Sequence, residues 1–95
     1  MKFEWDEVKR ESNLRKHEID FVDAPRIFAG PTATIIDQRK NYGEERLITL
    51  GLLDGIVIYV AHAERGDRIR IISMRKATKH ETNYYLEQVG DQIGD

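Results

Sequence analysis

The fold is decided by residues 45–75, which read ERLITLGLLDGIVIYVAHAERGDRIRIISMR. Along three runs of this stretch, apolar side chains recur at every second residue, which is the period of a β-strand. Asp54-Gly55 joins the first run to the second, and an Asp-Gly pair in that position is typical of a type I′ hairpin turn. Residues 65–67 turn the chain again. The sequence therefore predicts three consecutive antiparallel strands, at 45–53, 56–64 and 68–75.

The preceding segments extend this pattern to an α+β fold. A further strand is predicted at 32–37, which makes an antiparallel meander of about four strands. Residues 3–5 could add a short first strand. Asp6 is the predicted N-cap of a helix over 7–16. A second helix is expected to start near Asp23, or to kink, because proline at position 25 is tolerated only in a first turn.

A C-terminal helix is predicted after the meander. Thr78-Lys79-His80-Glu81 fits the capping box S/T-x-x-E, and Gly90 is expected to end the helix. The side chains predicted to face the sheet are Thr82, Tyr85, Leu86 and Val89. Tyr84 and Tyr85 are adjacent, so only one of them faces the core, and the other is free to stack on a nucleobase.

Length and composition restrict the class of protein. The 95 residues fit one domain, 1–95. The chain has no cysteine, which excludes disulfides and thiolate metal sites and fits a cytoplasmic protein. We expect no secretory signal, because the N-terminus lacks an apolar segment. We also expect no membrane span, because no apolar run approaches the roughly 18 residues required.

Charge is unevenly distributed along the chain. The net charge is −2, yet residues 65–80 carry six basic side chains and a single acidic one. A concentrated cationic segment on an acidic chain favours a local anion site. The alternative is a strand edge that charge protects from aggregation.

The two turns fix a register, which sorts the side chains onto two faces. Two-residue turns pair Leu47 with His62, Ala63 with Arg70, and Tyr59 with Met74. The first face is predicted to carry Leu47, Leu53, Ile56, Ile58, Val60, Ile69 and Ile71, with His62, Ser73 and Arg75. The second face is predicted to carry Ile48, Leu50, Leu52, Val57, Tyr59, Ile72 and Met74, with Arg46, Arg68, Arg70 and Lys76.

Arg46, Ala63 and Arg70 fall in one row across the second face. Two guanidinium groups above a small alanine could converge on a phosphate, since each donates bidentate hydrogen bonds and stays charged. In the alternative interpretation, each arginine pairs with a nearby glutamate, such as Glu44 or Glu64. A three-residue turn at 65–67 would move Arg70 to the other face and abolish the row.

The sequence gives no metal or cofactor motif. None of His17, His62 and His80 has the spacing of a zinc ligand, and no phosphate-loop or nucleophile-elbow pattern is present. His17 lies near the end of the first helix, where a cation complements the helix dipole. His80 lies within the capping box and is expected to be solvated.

Taken in order, the segments of the chain resemble the BrnT family of ribonuclease toxins. The resemblance covers nearly the whole chain and rests on Phe3-Glu4-Trp5-Asp6, Asn13, Lys16-His17, Ile19, Phe21, Ala24, Phe28, Gly43-Glu44-Glu45-Arg46, Gly51, Gly66, residues 70–77, Glu81 and Tyr85. Three positions depart from the family pattern. Glu18 stands where glycine is usual, Met74 stands where alanine is usual, and Pro25 interrupts the second helix.

The resemblance implies a RelE-like fold and RNA cleavage that shuts down translation. It also implies neutralisation by a BrnA-like antitoxin that binds DNA, so that this chain reaches DNA only through that partner. Cleavage of RNA without a metal ion requires a base, cations for the phosphorane and an acid.

Candidate residues can be named for these roles. Arginine suits the cationic role, which we assign to Arg46 and Arg70. Lys16, His17 and Lys76 are alternative proton carriers, and Arg68, Arg75 and Lys76 are candidates for RNA binding. The rival interpretation is a non-catalytic module that uses residues 65–76 to bind nucleic acid or a protein partner.

Overall fold

The computed structural model of the protein describes residues 1–39 and 41–93, with side chains up to position 90. In chain order, its elements are β1 (Lys2–Glu4), α1 (Glu7–His17), a 3₁₀ turn (Phe21–Asp23), α2 (Ala24–Phe28), β2 (Thr32–Asp37), β3 (Arg46–Leu53), β4 (Ile56–Arg65), β5 (Arg68–Lys76) and α3 (Lys79–Ile93). The α+β class and the order of the elements agree with the sequence prediction.

The strands form one mixed sheet in the order β1-β5-β4-β3-β2. Strands β2 to β5 are the predicted antiparallel meander. The predicted count of about four falls short by one, because β1 pairs in parallel with β5 and places Glu4 opposite Arg70. A parallel partner so distant in the chain leaves no turn signal between the two strands, so the sequence pattern could not assign it.

The first two helices begin as predicted. The side chain of Asp6 accepts hydrogen bonds from the backbone N–H groups of Val8 and Lys9. After the 3₁₀ turn, Pro25 lies in the first turn of α2, where its missing N–H costs no helical hydrogen bond. Helix α1 ends at His17, and the capping residue Glu18 has a left-handed φ of 61°, the conformation that glycine adopts most easily.

Helix α3 opens with the predicted capping box. The Thr78 hydroxyl accepts from the Glu81 N–H at 3.1 Å, and the Glu81 carboxylate accepts from the Thr78 N–H at 2.8 Å. The predicted end at Gly90 is wrong, because the helix continues to Ile93. Glycine at that position is a preference and does not force a helix to stop. Leu86 is also misassigned, since it is 45% exposed.

The sheet carries a hydrophobic cluster on each face. On the first face, the buried members from the loop, α2 and the strands are Ile19, Phe21, Ala24, Ile27, Ile58, Val60, Ile69, Ile71 and Met74. On the second face, α3 packs Tyr85 and Val89 against Ile48, Leu50, Val57 and Tyr59. Contacts of α3 fall mainly on β2 and β3. The end of the second face near the β4–β5 turn therefore lies away from α3.

A β-bulge in β5 changes the predicted faces. Ala63 pairs with Arg70 as expected, but the register shifts between Ala61 and His62, so that Tyr59 pairs with Arg75 and not with Met74. One extra residue in a strand inverts the alternation that follows it. Met74 accordingly enters the core of the first face, where it is fully buried.

The inversion also affects two candidate site residues. Arg75, predicted on the first face, lies on the second face beside Tyr59. Lys76, predicted on the second face, instead pairs with Ile58, a member of the first-face core. The residues up to Arg70, which precede the bulge, keep their predicted pairing.

Candidate functional site

Four arginines cluster at the end of the second face that α3 leaves open. Glu4 accepts hydrogen bonds from Arg68 and Arg70, both at 3.2 Å. Glu44 binds Arg46 and Arg65, both at 3.3 Å. We call this set the arginine surface: Arg46, Arg65, Arg68 and Arg70 with Glu4 and Glu44.

The sheet register builds this surface. Arg65 lies opposite Arg68, and Arg70 lies between Ala63 on one side and Glu4 on the other. Arg46 directly precedes Leu47, and its guanidinium lies 4.3 Å from the centre of the Tyr42 ring. Arg46 pairs with Glu44, which is the contact that the alternative interpretation expected. Arg70 uses Glu4 of β1 in place of Glu64, because the parallel strand brings Glu4 alongside.

The arginine surface has an excess of positive charge. Four guanidinium groups surround two carboxylates, which leaves a surplus of two positive charges. Hydrogen bonds from Arg68 and Arg70 lower the pKa of Glu4, so its carboxylate stays ionised and orients both cations. Such a surface is suited to bind an anion with planar, fixed donors.

Lys16 and His17 lie in a different place. Together with Lys9, Ser12, Asn13, Ile72 and Ser73 they line a hollow of about 210 Å³ between α1 and β5. The buried Asn13 holds α1 there. Its side chain accepts from the Met74 N–H at 3.1 Å and donates to the carbonyls of Met74 and Ile19. The structure brings Lys16 and His17 together but does not join them to Arg46 and Arg70.

Arg75 belongs to a second cluster, at the start of α3. Its guanidinium lies 3.8 Å from the centre of the Tyr59 ring and donates two hydrogen bonds to Glu81, at 2.9 and 3.0 Å. These bonds lower the pKa of the Glu81 carboxyl. Arg75 therefore joins β5 to the first turn of α3.

A pocket of about 350 Å³ opens next to this cluster, between α3 and strands β2 to β4. We call it the tyrosine pocket, and it is lined by Ile35, Arg39, Ile48, Leu50, Tyr59, His80, Glu81 and Tyr84. Sequence reasoning did not assemble it. The adjacency of Tyr84 and Tyr85 predicted that only one of them faces the core. The structure shows that this is Tyr85, which is fully buried, and that Tyr84 lines the pocket.

Arg39 is fixed at the rim of this pocket. It donates two hydrogen bonds to Asp37, both at 2.9 Å, and a third at 3.1 Å to the hydroxyl of Tyr59. The bonds from Arg39 lower the pKa of the buried Asp37 far below its usual range. The guanidinium is thereby held in one orientation beside the pocket.

His62 plays no part in these surfaces. It lies on the first face, as predicted, and it is buried there with its ring edge-on to Phe28 at 5.2 Å. Its Nε2 lies 2.7 Å from the hydroxyl of Thr49, and its Nδ1 has no hydrogen-bond partner among the described residues. Burial lowers its pKa to about 4, so the ring is neutral at pH 7.

The described residues contain no group of three histidine, aspartate or glutamate side chains that could hold a metal ion. In the same part of the chain, no helix is long and apolar enough to cross a membrane.

Comparison with known proteins identifies one family. The sequence model described as "Ribonuclease toxin, BrnT, of type II toxin-antitoxin system" matches residues 5–81, from Trp5 before α1 to Glu81 in the first turn of α3. A search of curated proteins found no match. The matched range includes β3, β4 and β5 and all the arginines of both clusters, but it begins one residue after Glu4.

Proposed function

Because the chain belongs to the BrnT family of ribonuclease toxins, we propose that it is an endoribonuclease that cleaves RNA without a metal ion and thereby inhibits translation. The observation that carries this proposal is the arginine surface, with its surplus of two positive charges. Fixed cations of this kind stabilise the charge that develops when a phosphodiester is attacked.

The reaction follows from the chemistry of RNA. The 2′-hydroxyl oxygen attacks the adjacent phosphorus and loses its proton, and the bond from phosphorus to the 5′ oxygen breaks. The 5′ oxygen takes up a proton, which leaves a 2′,3′-cyclic phosphate and a 5′-hydroxyl. The intermediate phosphorane carries two negative charges, which match the surplus on the arginine surface. We assign Arg46 and Arg70 to this charge, and Arg68 to the neighbouring phosphates.

The proton carriers are a separate part of the proposal. Lys76 is withdrawn from this role, because the bulge turns it to the other face. His17 and Lys16 remain our candidates on the sequence alone, since the structure places them in the hollow beside β5 and not on the arginine surface. Comparing His17→Gln with His80→Gln decides the assignment. Loss of cleavage only in His17→Gln would support the hollow beside β5, and loss only in His80→Gln would assign proton transfer to the tyrosine pocket.

The proposal extends to the partner and to the setting. We propose that a BrnA-like, DNA-binding antitoxin covers residues 65–77, because an acidic partner complements this basic segment. Antitoxin binding should slow hydrogen exchange across these residues. Unchanged exchange in a complex that still neutralises the toxin would refute occlusion.

We also propose that residues 1–95 form one RelE-like domain in the cytoplasm, which the four-stranded meander and the lack of cysteine support.

The central test is cleavage in the presence of EDTA. The purified chain is incubated with single-stranded RNA, and the products are analysed for 2′,3′-cyclic phosphate ends. We expect these ends with and without EDTA. RNA that stays intact in EDTA and is cut after addition of magnesium would refute metal independence. RNA that is bound but cut under neither condition, even with ribosomes present, would favour a non-catalytic binding module.

A further inference from the structure

The tyrosine pocket is not explained by binding of phosphate. Its floor and walls are mostly apolar, with Ile48, Leu50 and Tyr59 from the sheet and Tyr84 from α3. Its polar groups lie at the rim. An apolar cavity with a few converging polar groups is typical of a site for a small, largely apolar ligand.

The rim groups are held in place before any ligand binds. Glu81 is fixed by Arg75 and by the capping box, and Arg39 is fixed by Asp37 and the Tyr59 hydroxyl. The first turn of α3 therefore cannot easily close onto the sheet and fill the space. A pocket maintained in this way has little reorganisation to undergo on binding.

The pocket also lies on the same face as the arginine surface. Ile48 lines the pocket, and Arg46 is two residues away on the same face of β3. That separation is about 7 Å, roughly the rise of two stacked nucleotides in one strand. On β4, the small residues Ala61 and Ala63 lie between Tyr59 and Arg65, so no bulky side chain of that strand separates the two sites.

We propose that the tyrosine pocket binds one nucleobase of a single-stranded RNA whose phosphates lie on the arginine surface. Tyr84 provides an aromatic wall for stacking, the aliphatic floor contacts the flat base, and Arg39 and His80 face the sugar-phosphate chain. Stacking of this kind accepts every base and requires an unpaired strand. The inference rests on the proposed function and adds a requirement for single-stranded substrate next to the cleavage site.

Binding is tested without cleavage by using 2′-O-methyl RNA, which lacks the attacking hydroxyl. A fluorescent hexamer is compared with copies that are abasic at one position each, and affinity is measured by anisotropy. One abasic position should weaken binding by about 5- to 150-fold, the usual range for loss of a stacked base. Tyr84→Ala should weaken binding of the complete hexamer to a similar extent. Tyr84→Phe, which keeps the ring, should bind normally.

The decisive measurement combines the abasic hexamer with the Tyr84→Ala variant. In Tyr84→Ala, the abasic position should have no further effect, because base and ring belong to one contact. Leu86→Ala, an exposed residue two positions along α3, is the matched control and should behave as the unaltered chain does. If Tyr84→Ala does not fold, the abasic series on the unaltered chain still decides whether a base is bound.

Three results would overturn the inference. Equal affinity for the complete hexamer and for every abasic one would mean that only phosphates are bound. Loss of antitoxin binding in Tyr84→Ala, with RNA binding intact, would assign the pocket to a side chain of the antitoxin. Cleavage of RNA in EDTA that is insensitive to Tyr84→Ala would refute the base pocket alone. A sensitive abasic series without any cleavage would refute only the catalytic proposal.

Discussion

The two faces of the sheet differ in how they treat polar groups. The first face encloses them: His62 and Thr49 are buried beneath α2 and bond to each other. The second face leaves polar groups accessible. Helix α3 packs mainly on β2 and β3, so it does not cover the arginine surface near the β4–β5 turn. The contrast teaches that one sheet, with a hydrophobic cluster on each side, can bury its polar groups on one face and leave charged groups accessible at the end of the other.

The largest expected effect is on activity, and it comes from the second face. We expect Arg46→Ala and Arg70→Ala each to reduce RNA cleavage by about 10² to 10³, because each removes charge stabilisation that matters mainly in the transition state. Melting temperatures should change little, since both arginines form ion pairs that are still partly open to water and such surface pairs add about 0–1 kcal/mol. Single-turnover cleavage and thermal unfolding of the same samples provide the two measurements.

Arg26→Ala is the matched control for the arginine variants. Arg26 also forms an ion pair, with Asp54 at 2.5 Å, but it lies on α2 and not on the second face. The cleavage rate of Arg26→Ala should be normal.

The double variant Arg46→Ala with Arg70→Ala should lose less cleavage rate than the product of the two single losses if both arginines bind one phosphate. Wild-type cleavage in both single variants would refute the role of the arginine surface.

The next effect is on stability and comes from the first face. The pKa of His62 is lowered from its ordinary value of 6.5 to about 4 by burial, so below pH 6.5 the unfolded chain binds a proton that the folded chain does not. Stability should therefore fall as pH decreases from 6.5 toward 4. The loss from this group reaches about 2 kcal/mol at pH 5 and about 3 kcal/mol at pH 4.

Urea unfolding at pH 7 and pH 5 measures this loss. His62→Gln should reduce the difference between the two pH values, whatever it does to the stability at pH 7. His80→Gln removes an exposed histidine on the other side of the sheet and should leave the difference unchanged. An equal difference in all three proteins would show that burial of His62 does not control the acid response.

The smallest effect concerns the end of α1, which is independent of both faces. Glu18 has a φ of 61°, a conformation that costs a non-glycine residue about 1 kcal/mol. We expect Glu18→Gly to raise the free energy of unfolding by up to about 1 kcal/mol. Glu11→Gly, in the middle of the same helix, should lower it by a similar amount. The same sign for both variants would contradict this account of the helix end.

The sequence predicted most accurately where a turn fixed the geometry. Asp54-Gly55 set the pairing of β3 with β4, and the second turn set the pairing of Ala63 with Arg70. The bulge in β5 was not predictable, because no glycine or proline marks it among Ile71, Ile72 and Ser73. It moved Arg75 to the second face and Lys76 away from it.

The candidate site was only partly predictable for a related reason. Alternation along strands places residues on a face, so Arg46 and Arg70 were found. It does not say which distant segment lies beside them, and so the partner Glu4 was missed. The tyrosine pocket depends on where α3 crosses the sheet, which no local pattern encodes. Only the adjacency of Tyr84 and Tyr85 gave a hint of an aromatic ring outside the core.

The contact between Glu4 and Arg70 also determines when the arginine surface can form during synthesis of the chain. The two residues are 66 positions apart, and β1 has no partner strand until β5 has been made. Closing so long a loop is slow compared with forming a hairpin. A nascent chain that has folded only through β4 therefore holds Arg46 and Arg65 without Arg68, Arg70 or the ordered Glu4. The arginine surface can thus assemble only after β5 has been made.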